Sequence, residues 1–201
     1  PYTITDFTAF LRDTYRLKRP LAIRLKNSGM KRKPRLLIIS RKTTRTFTNI
    51  NEIQEMAEEL GFEVVVDEPE GELSEVAELM NGCDVVVGVH GAGLTNAVFL
   101  PMNAVVIQVV PFGGAEWVSK TFFGDPVRKM NLRYIEYRID VEESTLRSIY
   151  PPDDVVFRDP QSIKDQGWDA FRRVYFDQQN VRMNISRFKP VLNTAMELLR
   201  R

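Results

Sequence analysis

The stretch that decides the fold is Asp84-Val-Val-Val-Gly-Val-His90-Gly91-Ala92-Gly93-Leu94-Thr95-Asn96, a run of small apolar residues that ends in a glycine turn and reopens as a helix. An uninterrupted β-branched run suits a strand covered on both faces, as in a parallel α/β sheet. At its end Gly91 and Gly93 let backbone amides approach an anion closely, and the first turn of the following helix adds unpaired N–H groups and the positive end of a dipole. Gly91, Ala92, Gly93, Leu94, Thr95 and Asn96 are therefore candidates for a phosphate site. His90, the only histidine in the chain, stands where the sheet should end and offers a hydrogen bond to a phosphate oxygen or a proton-transfer group. Taken alone, Gly-x-Gly is a weak signal, since the glycines serve equally well to turn the chain while His90 satisfies a local carbonyl.

Outward from this stretch the chain alternates apolar β-rich runs with amphipathic segments, the pattern of βαβ units rather than of hairpins or bundles. Strands are expected over 35–40, 62–66, 84–89 and 104–110, with 132–139 nearer an edge. Helices are expected over 5–15, with Phe7, Phe10 and Leu11 at helical spacing and Thr5 or Asp6 as cap, and from a capping box at Asn49-Ile50-Asn51-Glu52 through Ile53, Met56, Ala57 and Leu60. Leu73, Val76, Ala77 and Met80 predict the next helix, 94–99 a short one and 116–122 another. Beyond 159 come short helices over 159–167 and 168–177, then one over 187–200 broken at Pro190 and packed back across the sheet. The expected organisation is an N-terminal helix with a basic linker (1–33), then a Rossmann-like, mostly parallel sheet flanked by helices (34–201).

In an open α/β sheet ligands sit beyond the carboxyl ends of the strands, so each loop leaving a strand is a candidate wall of the site. The loop after the first strand offers three cations, Arg41, Lys42 and Arg45, on the side where the His90 turn emerges. Guanidinium groups bind phosphate oxygens in pairs, and a diphosphate held without metal needs its charge offset. The bland alternative, a solvated basic loop, loses ground once the glycine turn lies beside it. The loop after the fourth strand pairs Phe112 and Trp117 with Glu116: an aromatic face to stack on a base, and a carboxylate to accept both hydroxyls of a ribose. Equally, the aromatics suit a core and Glu116 suits a helix N-terminus.

Composition narrows the classes further. The 201 residues with 43% hydrophobic content supply one sizeable core. With 28 basic against 27 acidic residues, no global field marks a nucleic-acid or membrane-surface protein, and any anion site must be local. The cluster Lys26 and Lys31-Arg32-Lys33-Pro34-Arg35 then reads as a solvated linker. The lone Cys83 is a small buried thiol with no metal-ligand spacing around it. Neither Asp153-Asp154 nor Glu142-Glu143 has histidine company, so no metal is expected. Ser40, Ser119 and Ser144 lack a nucleophile-elbow context. Opening at Pro1 instead of methionine, the chain is expected to be a piece of a longer polypeptide. Asn184-Ile185-Ser186 is an N-glycosylation sequon, used only in a secretory compartment.

Gly88 to Asn96 with Phe99-Leu100-Pro101, then Val105 to Pro111, Tyr134-Ile135-Glu136-Tyr137, Tyr150-Pro151, Asp159-Pro160, Gly167-Trp168 and Arg187-Phe188-Lys189-Pro190, strongly resembles glycosyltransferase family 61 over nearly the whole chain. Asn96 fits the plant-like form of the motif, while Met102 departs from the small or proline residue of the pattern. The plant branch decorates xylan with arabinofuranosyl or xylosyl groups or N-glycans with xylose; animal relatives transfer N-acetylglucosamine. The resemblance implies an inverting GT-B enzyme without a bound metal or other cofactor, lodged in the Golgi lumen by an N-terminal membrane anchor. This chain would be its C-terminal, donor-binding half, with a UDP-sugar as donor, a polysaccharide or glycan as acceptor, and an N-terminal half of the same enzyme as partner. Carried over by position, Arg41, Arg45, His90 and the Gly91 to Thr95 amides would bind the diphosphate, while the general base stays unassigned between His90 and a carboxylate of the other half.

Two further readings remain open on residues alone. A dinucleotide-dependent oxidoreductase should carry Gly-x-Gly-x-x-Gly after its first strand, whereas here the glycines follow the third. A nucleotide- or glycan-binding module without catalysis fits the same site.

Overall fold

The computed structural model describes residues 2–25 and 32–201. Five parallel strands form one sheet in the order β2-β1-β3-β4-β5: β1 (Arg35–Ile39), β2 (Glu63–Asp67), β3 (Val85–Val89), β4 (Val105–Val110) and β5 (Arg133–Arg138). β1, β3 and β4 are the apolar runs, and from Leu36 through Ile39, Val85 to Val89 and Val105 to Val110 every residue is buried. β5, with its mixed Arg-Tyr-Ile-Glu-Tyr-Arg, takes the edge, as its alternation predicts.

Helices cover both faces. On one, α2 (Ile50–Glu59) and the C-terminal helix α9 (Ile185–Leu198) bury Ile53, Met56, Phe188, Leu192 and Ala195 against Leu36, Ile38, Val85, Val87 and Ile107. On the other, α1 (Ile4–Thr14), α3 (Leu73–Asn81) and the 3₁₀ helix Ala92–Phe99 pack over Leu37, Ile39, Val86 and Val106. α4 (Glu116–Ser119) passes through a π-helical turn at Lys120–Gly124 into α5 (Asp125–Lys129). After β5, the short helices α6 (Val155–Arg158), α7 (Pro160–Asp165) and α8 (Trp168–Arg172) cap the carboxyl end of the sheet, and α8 runs on into a second π turn, Arg173–Asp177.

Several local expectations give way to tertiary constraints. Thr3, not Thr5 or Asp6, caps α1: its hydroxyl accepts from the Asp6 amide at 3.2 Å and the Asp6 carboxylate accepts from the Thr3 amide at 2.7 Å. That moves the inward stripe to Ile4, Thr8, Leu11 and Tyr15, and leaves Phe7 and Phe10 exposed. Asn49 stands at the N-cap of α2 without capping it; its side chain bonds both the amide and carbonyl of Met183 at 2.9 Å, tying α2 to the chain entering α9. Pro190 does not break α9. It lies near the helix start and removes a single N–H, and the buried stripe Phe188, Leu192, Ala195 holds the helix together across that loss. The turn after β3 opens as a 3₁₀ helix. Gly88 and Gly93 press it onto β1: a Cβ on either would come 3.2 Å from Ile39. Lys26 and Lys31 of the basic cluster lie outside the described residues.

Candidate functional site

Because β2 and β3 flank β1 on opposite sides, the connections leaving β1 and β3 diverge and open a crevice at the carboxyl edge of the sheet. Both candidate loops run along it. Arg45 Nη1 donates to the His90 carbonyl at 2.7 Å, and Arg41 Nε donates to the Thr44 carbonyl at 2.8 Å, which turns its remaining guanidinium nitrogens toward the glycine turn. Gly91 is where they meet. It sits at φ 153° and ψ 178°, a region open to glycine, and a Cβ there would lie 2.7 Å from Arg41 Nη1 and 2.9 Å from Arg45 Nη1. The amides of Ala92 and Gly93 belong to the first 3₁₀ turn and have no partner within it.

Arg45 is held in a left-handed backbone conformation, φ 56°, uncommon for a residue with a side chain. Hydrogen bonds to residues distant in sequence enforce it: Arg45 N donates to the Gln179 carbonyl at 3.0 Å and Thr46 N to Asn180 Oδ1 at 2.9 Å. Its Nε is buried and has no partner among the described residues, its guanidinium lies 5.2 Å from the Phe176 ring centroid, and burial, with Arg41 adding repulsion, lowers its pKa to about 10. Among the described residues neither Arg41 nor Arg45 has a carboxylate within 4.0 Å. Asp177, the nearby carboxylate whose field acts on Arg45, pairs with Arg172 at 3.3 Å, so the two adjacent cations have no carboxylate in contact, an arrangement that a bound anion stabilises.

His90 follows β3 directly and is 5% exposed. Phe176 stacks on its ring at 5.1 Å and Phe123 meets it edge-on at 5.1 Å. Burial, then Arg45 and Arg41, lower its pKa to about 4, so at neutral pH the imidazole is uncharged. It can hydrogen-bond an anion but contributes no charge. A cavity of about 380 Å³ opens beside it, walled by Arg45, Gly91, Val118, Phe122, Trp168 and Arg172. The two π turns supply Phe122, Phe123 and Phe176 to this wall, in keeping with the frequency of π segments at functional sites.

The structure brings together Arg41, Arg45, His90, Gly91, Ala92 and Gly93. It does not bring Lys42, whose Nζ pairs with Glu70 at 2.8 Å over the edge strand β2. Leu94 is buried under the 3₁₀ helix, and the Thr95 hydroxyl donates to the Ala92 carbonyl at 2.6 Å. Asn96 is half-buried in the second turn of the same helix and is not on the cavity wall. Phe112 also lies off that wall, packed on Phe157 and Tyr175, and Gly113 is buried beneath Tyr175 with φ 112°. Glu116 opens α4, and Trp117 projects outward under Lys164 Nζ at 5.2 Å. Asn184 is exposed and caps α9, its Oδ1 accepting from Arg187 N at 3.2 Å. Sequence reasoning did not place Phe122, Phe123, Arg172 or Phe176 in the site, since they carry no local signal, nor Trp168, which entered only through the Gly167-Trp168 motif. It also passed over Gln108, which does carry one: a polar residue inside Val-Val-Ile-Gln-Val-Val.

The model of the glycosyltransferase 61 family matches residues 2–107, just over half of the chain. The chain is 48% identical over 200 residues to alpha-1,3-arabinosyltransferase XAT3 of Oryza sativa subsp. japonica, covering 98% of this chain and 34% of that protein. It is 47% identical to beta-1,2-xylosyltransferase XYXT1 of the same species, covering 99% of this chain and 43% of that one. Xylan glycosyltransferase MUCI21 of Arabidopsis thaliana is 35% identical over 86% of this chain and 35% of its own length. The chain thus spans about a third to two fifths of the length of these relatives.

Proposed function

Because the chain belongs to glycosyltransferase family 61, we propose that it is the nucleotide-sugar-binding half of a pentosyltransferase acting on xylan, with Arg41, Arg45, the Gly91 to Gly93 amides and His90 gripping the diphosphate of a UDP-sugar. The observation that carries this reading is the convergence on the backbone of Gly91 of two guanidinium groups that have no carboxylate within 4.0 Å among the described residues. Relatives named as arabinosyl- and xylosyltransferases supply the sugar class, and one named as a xylan glycosyltransferase supplies the acceptor.

Charge develops on the leaving UDP as the glycosidic bond breaks, and preorganised donors aimed at that oxygen stabilise it without rearranging. Arg41 and Arg45 fill that role here, which makes a metal ion dispensable for departure. A two-domain GT-B enzyme, inverting and Golgi-lodged, is the setting the family implies, with the acceptor bound between this half and the rest of the protein. No helix among the described residues is long and apolar enough to cross a membrane, so an anchor would lie elsewhere in the parent.

The test is calorimetric titration of the chain with UDP in the presence of EDTA, followed by pentose transfer from UDP-arabinofuranose and UDP-xylose to xylan oligosaccharides by the full-length parent. Arg45→Ala should weaken UDP binding about thirtyfold and lower transfer with it. Full transfer by that variant overturns the assignment.

A further inference from the structure

β4 is buried at every position, and Gln108 is its sole polar side chain, with no exposed surface. A buried amide is costly unless its donors and acceptor are used. Gln108 Nε2 lies 2.7 Å from His90 Nδ1, and Gln108 Oε1 accepts the Tyr134 hydroxyl at 2.7 Å. Tyr134 stands on β5 beside Glu136, whose Oε2 is 3.3 Å from the same hydroxyl. Burial raises the pKa of that phenol, with Glu136 adding to the effect, so it stays protonated and able to donate.

The Tyr134 hydroxyl lies 2.7 Å from Oε1 and 3.3 Å from Glu136 Oε2, and donation along the shorter contact sets which end of the amide faces the imidazole. It is the NH₂ end, which only donates. Nδ1 must then present its lone pair, and the neutral ring carries its one proton on Nε2. Ser119 Oγ, 3.2 Å from Nδ1 and buried on the same side, can donate to that nitrogen as well. Nε2 has no hydrogen-bond partner among the described residues, nor is it among their sealed, unpaired polar atoms; His90 itself lines the cavity. The charged groups around the ring are Arg41, Arg45 and, across the cavity, Arg172 and Asp177, with Glu136 behind Tyr134.

We propose that Tyr134 and Gln108 are a positioning pair that locks His90 in its Nε2–H tautomer, so that the site offers a bound anion a neutral hydrogen-bond donor and not a base. Only the identity of the anion rests on the nucleotide-sugar reading. A ring held this way cannot take the proton of an acceptor hydroxyl at Nε2, because that nitrogen already bears one. The general base is therefore a group other than His90.

The single histidine makes the test direct, since nitrogen-15 NMR of the labelled chain shows one imidazole. Without ligand at neutral pH, Nδ1 should resonate as an unprotonated nitrogen and Nε2 as a protonated one. Tyr134→Phe leaves the Gln108 amide free to flip; both nitrogens should move toward averaged positions, and UDP should bind about tenfold more weakly. Gln108→Glu, an acceptor-only replacement, should transfer the proton to Nδ1. Because a buried carboxylate can stop the chain folding, Tyr134→Phe decides the matter by itself. A wild-type ring protonated at Nδ1, or a tautomer unmoved in Tyr134→Phe, overturns the proposal. If the tautomer is as stated but UDP does not bind the wild type, the nucleotide reading fails and the positioning pair stands.

Discussion

The two ends of strand β3 each bury an ionisable side chain and treat it in opposite ways. At the amino end, Asp84 has no exposure and its carboxylate is surrounded by donors: the Arg19 guanidinium, the Ile23 amide at 2.8 Å and the Arg35 amide at 2.9 Å. Both carboxylate oxygens are hydrogen-bonded within the protein, so the charge serves to tie the segment before β1 to the sheet. At the carboxyl end, His90 is kept neutral by burial and by Arg45 and Arg41, and those two cations have no carboxylate of their own among the described residues. Both ends are polar islands in an apolar sheet. One is closed by the protein, while the other is left short of negative charge, and that deficit separates a structural polar cluster from a ligand site.

The largest effect expected from breaking the comparison is at the closed end. Asp84→Ala strands Arg19 and two amides, and should lower unfolding free energy by about 3–5 kcal/mol, read by urea denaturation, without altering UDP affinity of the folded fraction. A variant as stable as the parent would show that the buried carboxylate is not holding that end together.

Acid should affect the open end nearly as much. Between the ordinary imidazole value of 6.5 and the folded value of about 4, the unfolded chain binds a proton that the folded chain refuses. His90 therefore contributes stability above pH 6.5 that is lost as pH falls toward 4, by about 3 kcal/mol in all. Comparison with His90→Gln isolates this from other titrating groups: the stability gap between the two proteins should shrink by that amount from pH 7 to pH 4. A gap independent of pH would mean the ring is not buried neutral.

Arg45→Gly should separate function from stability. Glycine relieves the left-handed backbone at φ 56° but loses the bond to the His90 carbonyl. The two contributions, each about 1 kcal/mol, should nearly offset in a melt, while UDP binding drops some thirtyfold through the loss of charge-assisted contacts. Loss of folding in step with binding would put Arg45 among the structural cations instead.

The smallest effect is expected at Trp117. It is exposed, sits under Lys164 Nζ, and lies off the cavity wall. Trp117→Ala should change UDP affinity by less than about twofold, as surface substitutions away from a site usually do. A large loss would restore the loop after β4 to the nucleoside pocket.

Much of this was readable along the chain. Runs such as Leu36-Leu-Ile-Ile39 and Val85 to Val89 have no polar face, so their burial on both sides, and with it a parallel sheet, follows from composition alone. Arg41, Arg45, His90 and Gly91 were also legible, because loops after strands meet at one edge of such a sheet whatever the order of its strands. Asn49 and Pro190 were misleading for one reason: local capping and helix-breaking preferences are worth about 1–3 kcal/mol each, and contacts more than a hundred residues apart outweighed them.

By itself the sequence determined which segments are strands, which faces must be covered, and that a glycine turn and two arginines would share a rim, since these depend on period, propensity and backbone freedom. The tertiary structure alone decided that β1 and β3 are neighbours, that Phe176 closes over His90 from the far end of the chain, and that Gln108 turns its amide toward Nδ1. Those are properties of burial and of distance in space, and neither is recorded in the order of the residues.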